Sequence, residues 1–131
     1  MKKGMTYTVD GLKVVEYDDS YKFISDAVGG LIEHVYLPIF DDKKIDMWCN
    51  DEGKLLNFEK MLALSYEGKI YDVIVGNLAF TRSSRNGNTL SLTDKNIEYI
   101  KKVFDDAKSV VVYDEYETGR KIHIVKCLEV C

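Results

Sequence analysis

Polar and apolar residues alternate from Met5 to Val9 and again from Leu12 to Tyr17, with Asp10-Gly11 between the two runs. That dipeptide tolerates positive φ at a two-residue turn, so the pattern predicts a β-hairpin. Ser20 to Val28 changes to a helical period: Tyr21, Ile24 and Val28 share a face, Ser20 is placed to cap the start, and Gly29-Gly30 end it. Leu31 to Leu37 is rich in β-branched and aromatic residues and reads as a strand ending at Pro38. Lys44 to Asn50 alternates once more, with Ile45, Met47 and Cys49 on one side, and Asn50-Asp-Glu-Gly-Lys54 supplies turn residues. Asn57 to Leu64 carries no clean period and fits one or two helical turns. Tyr71 to Val75 is a short, mostly apolar run, expected to be a central strand buried on both faces and to continue through Gly76 towards Thr81.

Arg82 to Asn88 breaks this rhythm with seven residues and no apolar side chain, and Asn86-Gly87 marks a tight turn inside it. A helix over 93–107 follows. Thr93 is a good N-cap, Asp94 complements the helix dipole, and Ile97, Ile100 and Phe104 fall on one face. Strands at Ser109–Tyr113 and Lys121–Val130, joined by a turn at Glu117–Arg120, form a C-terminal β-hairpin spanning 109–130. The expected fold is α+β: mostly antiparallel strands, sheet or barrel-like, with two helices at about 20–28 and 93–107. One proline, nine glycines and no internal repeat leave no room for a flexible linker, so residues 1–131 read as a single domain.

Composition narrows the class of partner. The chain of 131 residues carries 22 acidic and 18 basic side chains, a formal charge of -4. A dedicated binder of long nucleic acid presents a basic face, which this balance does not supply. No apolar run approaches the ~20 residues of a membrane helix. The charged N-terminus runs into Thr6–Asp10 and not into an apolar segment, so no signal peptide is expected. Three cysteines, Cys49, Cys127 and Cys131, are an odd number and suit free thiols in a reducing cytoplasm.

Known catalytic patterns are missing. There is no G-x-S-x-G elbow, no phosphate-binding G-x-x-x-x-G-K-[ST] loop and no G-x-G-x-x-G fingerprint. His34 and His123 both lie in strand-like runs, and neither spacing offers a nucleophile with a base. His123, Cys127 and Cys131 are spaced by four, which would align them on a helix. In a strand, residues four apart are ~13 Å from one another and cannot grip one ion. No metal, cofactor or catalytic residue is therefore assigned. The carboxylate pairs (Asp18-Asp19, Asp41-Asp42, Asp105-Asp106, Asp114-Glu115) fall at loop or helix ends, where solvation accounts for them. They also suggest a DNA-mimic or protein-binding inhibitor as an alternative function, although interleaved lysines dilute the single-signed surface that mimicry needs.

The arginines are distributed differently from the rest of the charge. Fifteen of the 18 basic residues are lysine, yet two of the three arginines sit in one loop. A guanidinium grips phosphate bidentately and stacks on bases, which an ammonium does not. This makes Phe80, Arg82, Arg85, Asn86 and Asn88 the candidate ligand-binding residues: Phe80 to stack a base, the arginines to bind phosphate, Asn88 to read polar edges. The plain alternative is a solvated hairpin tip.

Four short motifs, Val28-Gly-Gly-Leu-Ile-Glu33, Asn50-Asp-Glu-Gly-Lys54, Asp72-Val-Ile-Val-Gly76 and Ser91-Leu-Thr-Asp94, occur in that order. In these, residues 12–105 resemble a small domain of long-unknown function carried by phages and mobile elements. Asn57-Phe-Glu-Lys60 departs from the Pro-Asn-rich form of that domain. The chain is also similar in size and type to Thoeris anti-defence sponges. That resemblance implies a non-enzymatic cytoplasmic protein that sequesters a cyclic ADP-ribose isomer, made by a bacterial TIR-domain enzyme, without cleaving it. It further implies a homo-oligomer with pockets at subunit interfaces. No pocket motif carries over residue by residue, so the site residues remain those of the loop.

Overall fold

The computed structural model of the chain describes residues 1–113 and 121–131. The expected turn at Glu117–Arg120, and the acidic pair Asp114-Glu115, lie outside the described residues. The fold is α+β, with mostly antiparallel strands in two open sheets and three helices among the described residues.

The first sheet begins with the hairpin that Asp10-Gly11 announces. Strands β1 (Lys2–Thr8) and β2 (Gly11–Tyr17) pair from Thr8 opposite Gly11 to Lys2 opposite Tyr17. Helix α1 (Ser20–Val28) follows. Its N-cap is Asp19 and not Ser20, because the Asp19 carboxylate accepts from the Lys22 N–H at 3.1 Å. The buried face is correspondingly Phe23, Ile24 and Val28, while Tyr21 points to solvent. Strand β3 (Ile32–Val35) stops before Pro38, which opens a third, short helix, α2 (Pro38–Asp41), not anticipated from the sequence. Proline at a helix start loses no backbone bond, since that N–H would be unpartnered anyway. Strand β4 (Ile45–Asn50) keeps the expected alternation, with Ile45, Met47 and Cys49 inside.

Two expectations fail in the middle of the chain. Residues 57–64 hold no helix: Lys60–Tyr66 is strand β5, almost wholly buried. Strand β6 (Lys69–Val75) is an edge and not a central strand, and Tyr71 is exposed. It does not continue to Thr81. Gly76 takes φ 83° and turns the chain out of one sheet into the other, where β7 (Leu78–Ser83) begins. The strands buried on both faces are β5 and β7. Strand β7 lies between β1 and β4, in a sheet ordered β2-β1-β7-β4-β3, with short β8 (Thr89–Leu90) also on β7. Helix α3 (Asp94–Asp106) forms as its period predicts. Thr93 and Asn96 make a reciprocal capping box.

The second sheet runs β6-β5-β10-β9, from β9 (Lys108–Tyr113) and β10 (Ile122–Glu129). The β9–β10 pair is the expected antiparallel hairpin, but β10 also lies parallel to β5, with Leu128 opposite Leu64. One buried cluster joins the sheets and α3 through Met5, Met47, Phe80, Leu64, Leu128 and Ile100. Each such side chain removed from water contributes about 1.5–3 kcal/mol. On the opposite face of the first sheet, α1 packs Phe23, Ile24 and Val28 onto Tyr17 and Ala79. Among the described residues no helix is long and apolar enough to cross a membrane.

Candidate functional site

The expected site residues divide between the buried strand β7 and the exposed turn beyond it. On β7, Phe80 is opposite Met5 of β1 and Met47 of β4, on the core side. Its ring meets Phe40 edge-on at 5.4 Å and Phe104 at 5.9 Å, and it is fully buried. The expectation that Phe80 stacks a base is therefore corrected: a ring locked between two others in the core cannot reach a ligand. Arg82 stands half-buried at the root of the β7–β8 hairpin, where its Nε donates to the Ser91 carbonyl at 2.8 Å. Arg85, Asn86 and Asn88 are exposed at the tip. The turn beneath them closes on itself: Ser84 N–H donates to Asn88 O at 2.9 Å, and Gly87 N–H donates to Ser84 O at 3.0 Å. The fold thus keeps one arginine fixed at the root and one arginine and two amides free at the tip.

A second cluster was missed. His34 of β3, Asp41 of α2 and Asp46 of β4 converge, with Nε2 of His34 at 3.0 Å from Asp41 Oδ1 and 3.4 Å from Asp46 Oδ1. Cross-strand register sets this up. His34 sits opposite Trp48, on the side of β4 that Ile45, Met47 and Cys49 leave free, so Asp46 shares its face. The Trp48 ring packs edge-on against the imidazole at 5.4 Å, and its Nε1 donates to Thr81 Oγ1 at 2.9 Å. Asp41 is oriented from behind, its Oδ2 accepting from the Leu37 N–H at 2.7 Å. Burial pushes the Asp46 carboxyl above its ordinary value, and the Asp41 charge adds to the rise; Ser83 and His34 oppose it by favouring the ionised form. Among the described residues, this is the set of His, Cys, Asp and Glu side chains close enough to share an ion. The alternation of β4 was the available signal, since it places Asp46 and Trp48 together on the face away from the core.

His123, Cys127 and Cys131 lie on or just beyond strand β10 and form no such set. His123 Nδ1 is 4.0 Å from Glu59. Cys49 is buried and its thiol donates to Glu33 Oε1 at 3.6 Å; burial, then the Glu33 charge, push it up to about 12.

Three of the four short motifs meet at one junction. Asn50, buried at the end of β4, donates from Nδ2 to the Val28 carbonyl at 3.0 Å and accepts the Glu52 N–H on Oδ1 at 2.7 Å. Gly53 packs so closely on Val75 that a Cβ there would lie 2.8 Å from its side chain and 2.9 Å from its carbonyl oxygen. Gly76 N–H donates to Glu59 O at 2.7 Å, and a Cβ on Gly76 would sit 2.9 Å from the Phe58 ring. The fourth motif ties α3 to β1: Ser91 Oγ accepts the Lys3 N–H at 2.8 Å, and Leu92 N–H donates to Lys3 O at 2.8 Å. These residues serve the architecture.

A shallow groove of about 550 Å³ runs between α1 and the β1–β2 hairpin. Its buried or half-buried lining includes Val15, Tyr17 and Phe23, with the last two rings stacked at 4.4 Å; Glu16, Asp18, Asp19 and Asp26 are exposed around it.

Two open sheets and their helices, with an arginine-bearing hairpin and a histidine–carboxylate cluster, define a small α+β protein. Residues 3–105 match the model of the domain of unknown function DUF3846, and the chain belongs to that family. The match begins at residue 3, earlier than the 12–105 span of the resemblance, and strands β9 and β10 lie outside it. No curated protein and no solved structure matches the chain.

Proposed function

We propose that the protein is a phage-type anti-defence protein. It binds and sequesters a cyclic nucleotide immune signal, a cyclic ADP-ribose isomer, in the host cytoplasm without cleaving it. The observation that carries this reading is the β7–β8 hairpin: Arg85, Asn86 and Asn88 are exposed on a turn closed by two backbone bonds between Ser84, Gly87 and Asn88, above an Arg82 pinned to Ser91. A guanidinium and two amides on a stiff turn suit a pyrophosphate and the polar edges of a base. Phe80 takes no part.

Sequestration at ~nM affinity needs about -12 kcal/mol, more than one exposed tip supplies. A second copy of the chain closing over the tip would exclude water and strengthen each charged hydrogen bond. Calorimetry with cyclic ADP-ribose isomers tests the proposal. Tight binding, with the ligand recovered intact after denaturation and lost in Arg85→Ala, supports it; absence of heat with every isomer overturns it.

The groove beside α1 favours a second reading, a protein-binding inhibitor. Exposed carboxylates around an apolar floor, of which Asp26 is paired with Lys22 at 2.7 Å, suit a cationic segment of a host protein. A stable host partner, released by charge reversal at Asp18 and Asp26, would support that reading over the first.

A further inference from the structure

We infer that His34, Asp41 and Asp46 form a binding site for one divalent transition-metal ion, independent of the nucleotide reading. Ligands about a common ion at about 2.0–2.2 Å lie about 2.8–3.6 Å from their neighbours at tetrahedral or octahedral angles. The Nε2–carboxylate separations of 3.0 Å and 3.4 Å fall in that range, and the ligand atoms of all three residues lie within 4.8 Å of one another. The three residues come from β3, α2 and β4, so the fold, and no local run of acids, assembles the set.

Charge supports the same conclusion. The two carboxylate side chains are only 16% and 17% exposed, and His34 is the partner each has in an ion pair among the described residues. One Nε2 offers one proton or one lone pair, so two partly buried carboxylates face at most a single positive charge. Burying that imbalance is costly, and a divalent ion removes it. The groups behind the ligands are in place. Leu37 N–H holds the far oxygen of Asp41, and Trp48 and Ser83 flank His34 and Asp46.

The donor set selects the metal class. One imidazole nitrogen and two carboxylate oxygens suit Zn²⁺, Mn²⁺, Fe²⁺ or Co²⁺, and the nearest thiol in sequence, Cys49, projects to the opposite face of β4. Three protein ligands leave positions open for water or an anionic ligand.

The single tryptophan of the chain, Trp48, touches His34 and is a built-in reporter. The test is titration of the metal-free full chain with Co²⁺ and with Zn²⁺, followed by calorimetry, cobalt absorption and Trp48 fluorescence. The expected result is one ion per chain, cobalt d–d bands without a thiolate charge-transfer band, and quenching of Trp48 by Co²⁺. Asp46→Asn and His34→Gln, each checked for an unchanged circular-dichroism spectrum, weaken binding at least tenfold, while Cys127→Ser and Cys131→Ser do not change it. Absence of saturable binding overturns the inference and leaves the cluster as an ion triad. So does binding that survives both Asp46→Asn and His34→Gln, or that shows a thiolate band lost with Cys131→Ser.

Discussion

The junction around Asn50 and the hairpin tip around Arg85 are both connections between strands, built in opposite ways. At the junction the bonds are long-range. Asn50 reaches back to Val28, Gly76 reaches to Glu59, and Gly53 and Gly76 lack side chains because Val75 and Phe58 occupy the space. At the tip the bonds are local, between Ser84, Gly87 and Asn88, and every side chain from Arg85 to Asn88 is left to solvent. The junction holds most of the residues that carry the family resemblance, yet it offers a ligand little. The tip carries none of those motifs and offers charge and hydrogen bonds freely. In this chain the residues that carry the resemblance hold the fold together, while the tip leaves its side chains to solvent.

The sharpest way to break this contrast is chemical. Cys49 sits one residue before Asn50, and its thiol is raised from 9.0 to about 12. At pH 8 its thiolate fraction is roughly a thousandfold below that of an ordinary thiol, so alkylation in the folded protein modifies exposed Cys131 and spares Cys49 until unfolding. Because the folded-state value is the higher one, its stabilising effect is full below pH 9 and is lost as pH rises towards 12. Rapid modification of Cys49 in native protein would show that the junction is open.

Gly76→Ala should cost about 2–4 kcal/mol in urea unfolding, from its left-handed φ and the clash with Phe58. Asn50→Ala should cost about 1–3 kcal/mol, since it strands the Val28 carbonyl and the Glu52 N–H. If either substitution is neutral, the junction does not hold the fold together. Arg82→Ala, which removes one bond to Ser91, should cost about 0.5–1.5 kcal/mol. Arg85→Ala should stay within about 0.5 kcal/mol while weakening nucleotide binding. A large stability loss at Arg85 would place the tip in the architecture and erase the contrast.

What could be read from the sequence was local. Asp10-Gly11 set the first hairpin, and the Thr93 cap with Ile97, Ile100 and Phe104 set α3, because neighbours within a few residues decide those elements. Lys60–Tyr66 was legible only in part: Glu67-Gly68, both at positive φ, turn it into β6, but its other partner β10 is distant in sequence and parallel, and no turn announces that pairing. Tyr71–Val75 was placed centrally because an apolar run does not say how many neighbours a strand has. Phe80 was misread because strand parity assigns a face only once both neighbours are known, and Met5 and Met47 claim it for the core. His34, Asp41 and Asp46 were legible singly and not as a set, since only the β3–β4 register and the α2 turn bring them together.

The parallel β5–β10 pair also governs when this chain can finish folding. Ser65 and its partner Glu129 are 64 positions apart, and β10 fills the place between β5 and β9. During synthesis at about 5–20 residues per second, the β5–β6 hairpin emerges seconds before the strand that covers its inner edge. Until then Leu62 and Leu64 stand beside an unpaired row of backbone donors and acceptors, open to a neighbouring nascent chain. The region that defines the family therefore depends, for its solubility at birth, on residues that lie beyond it.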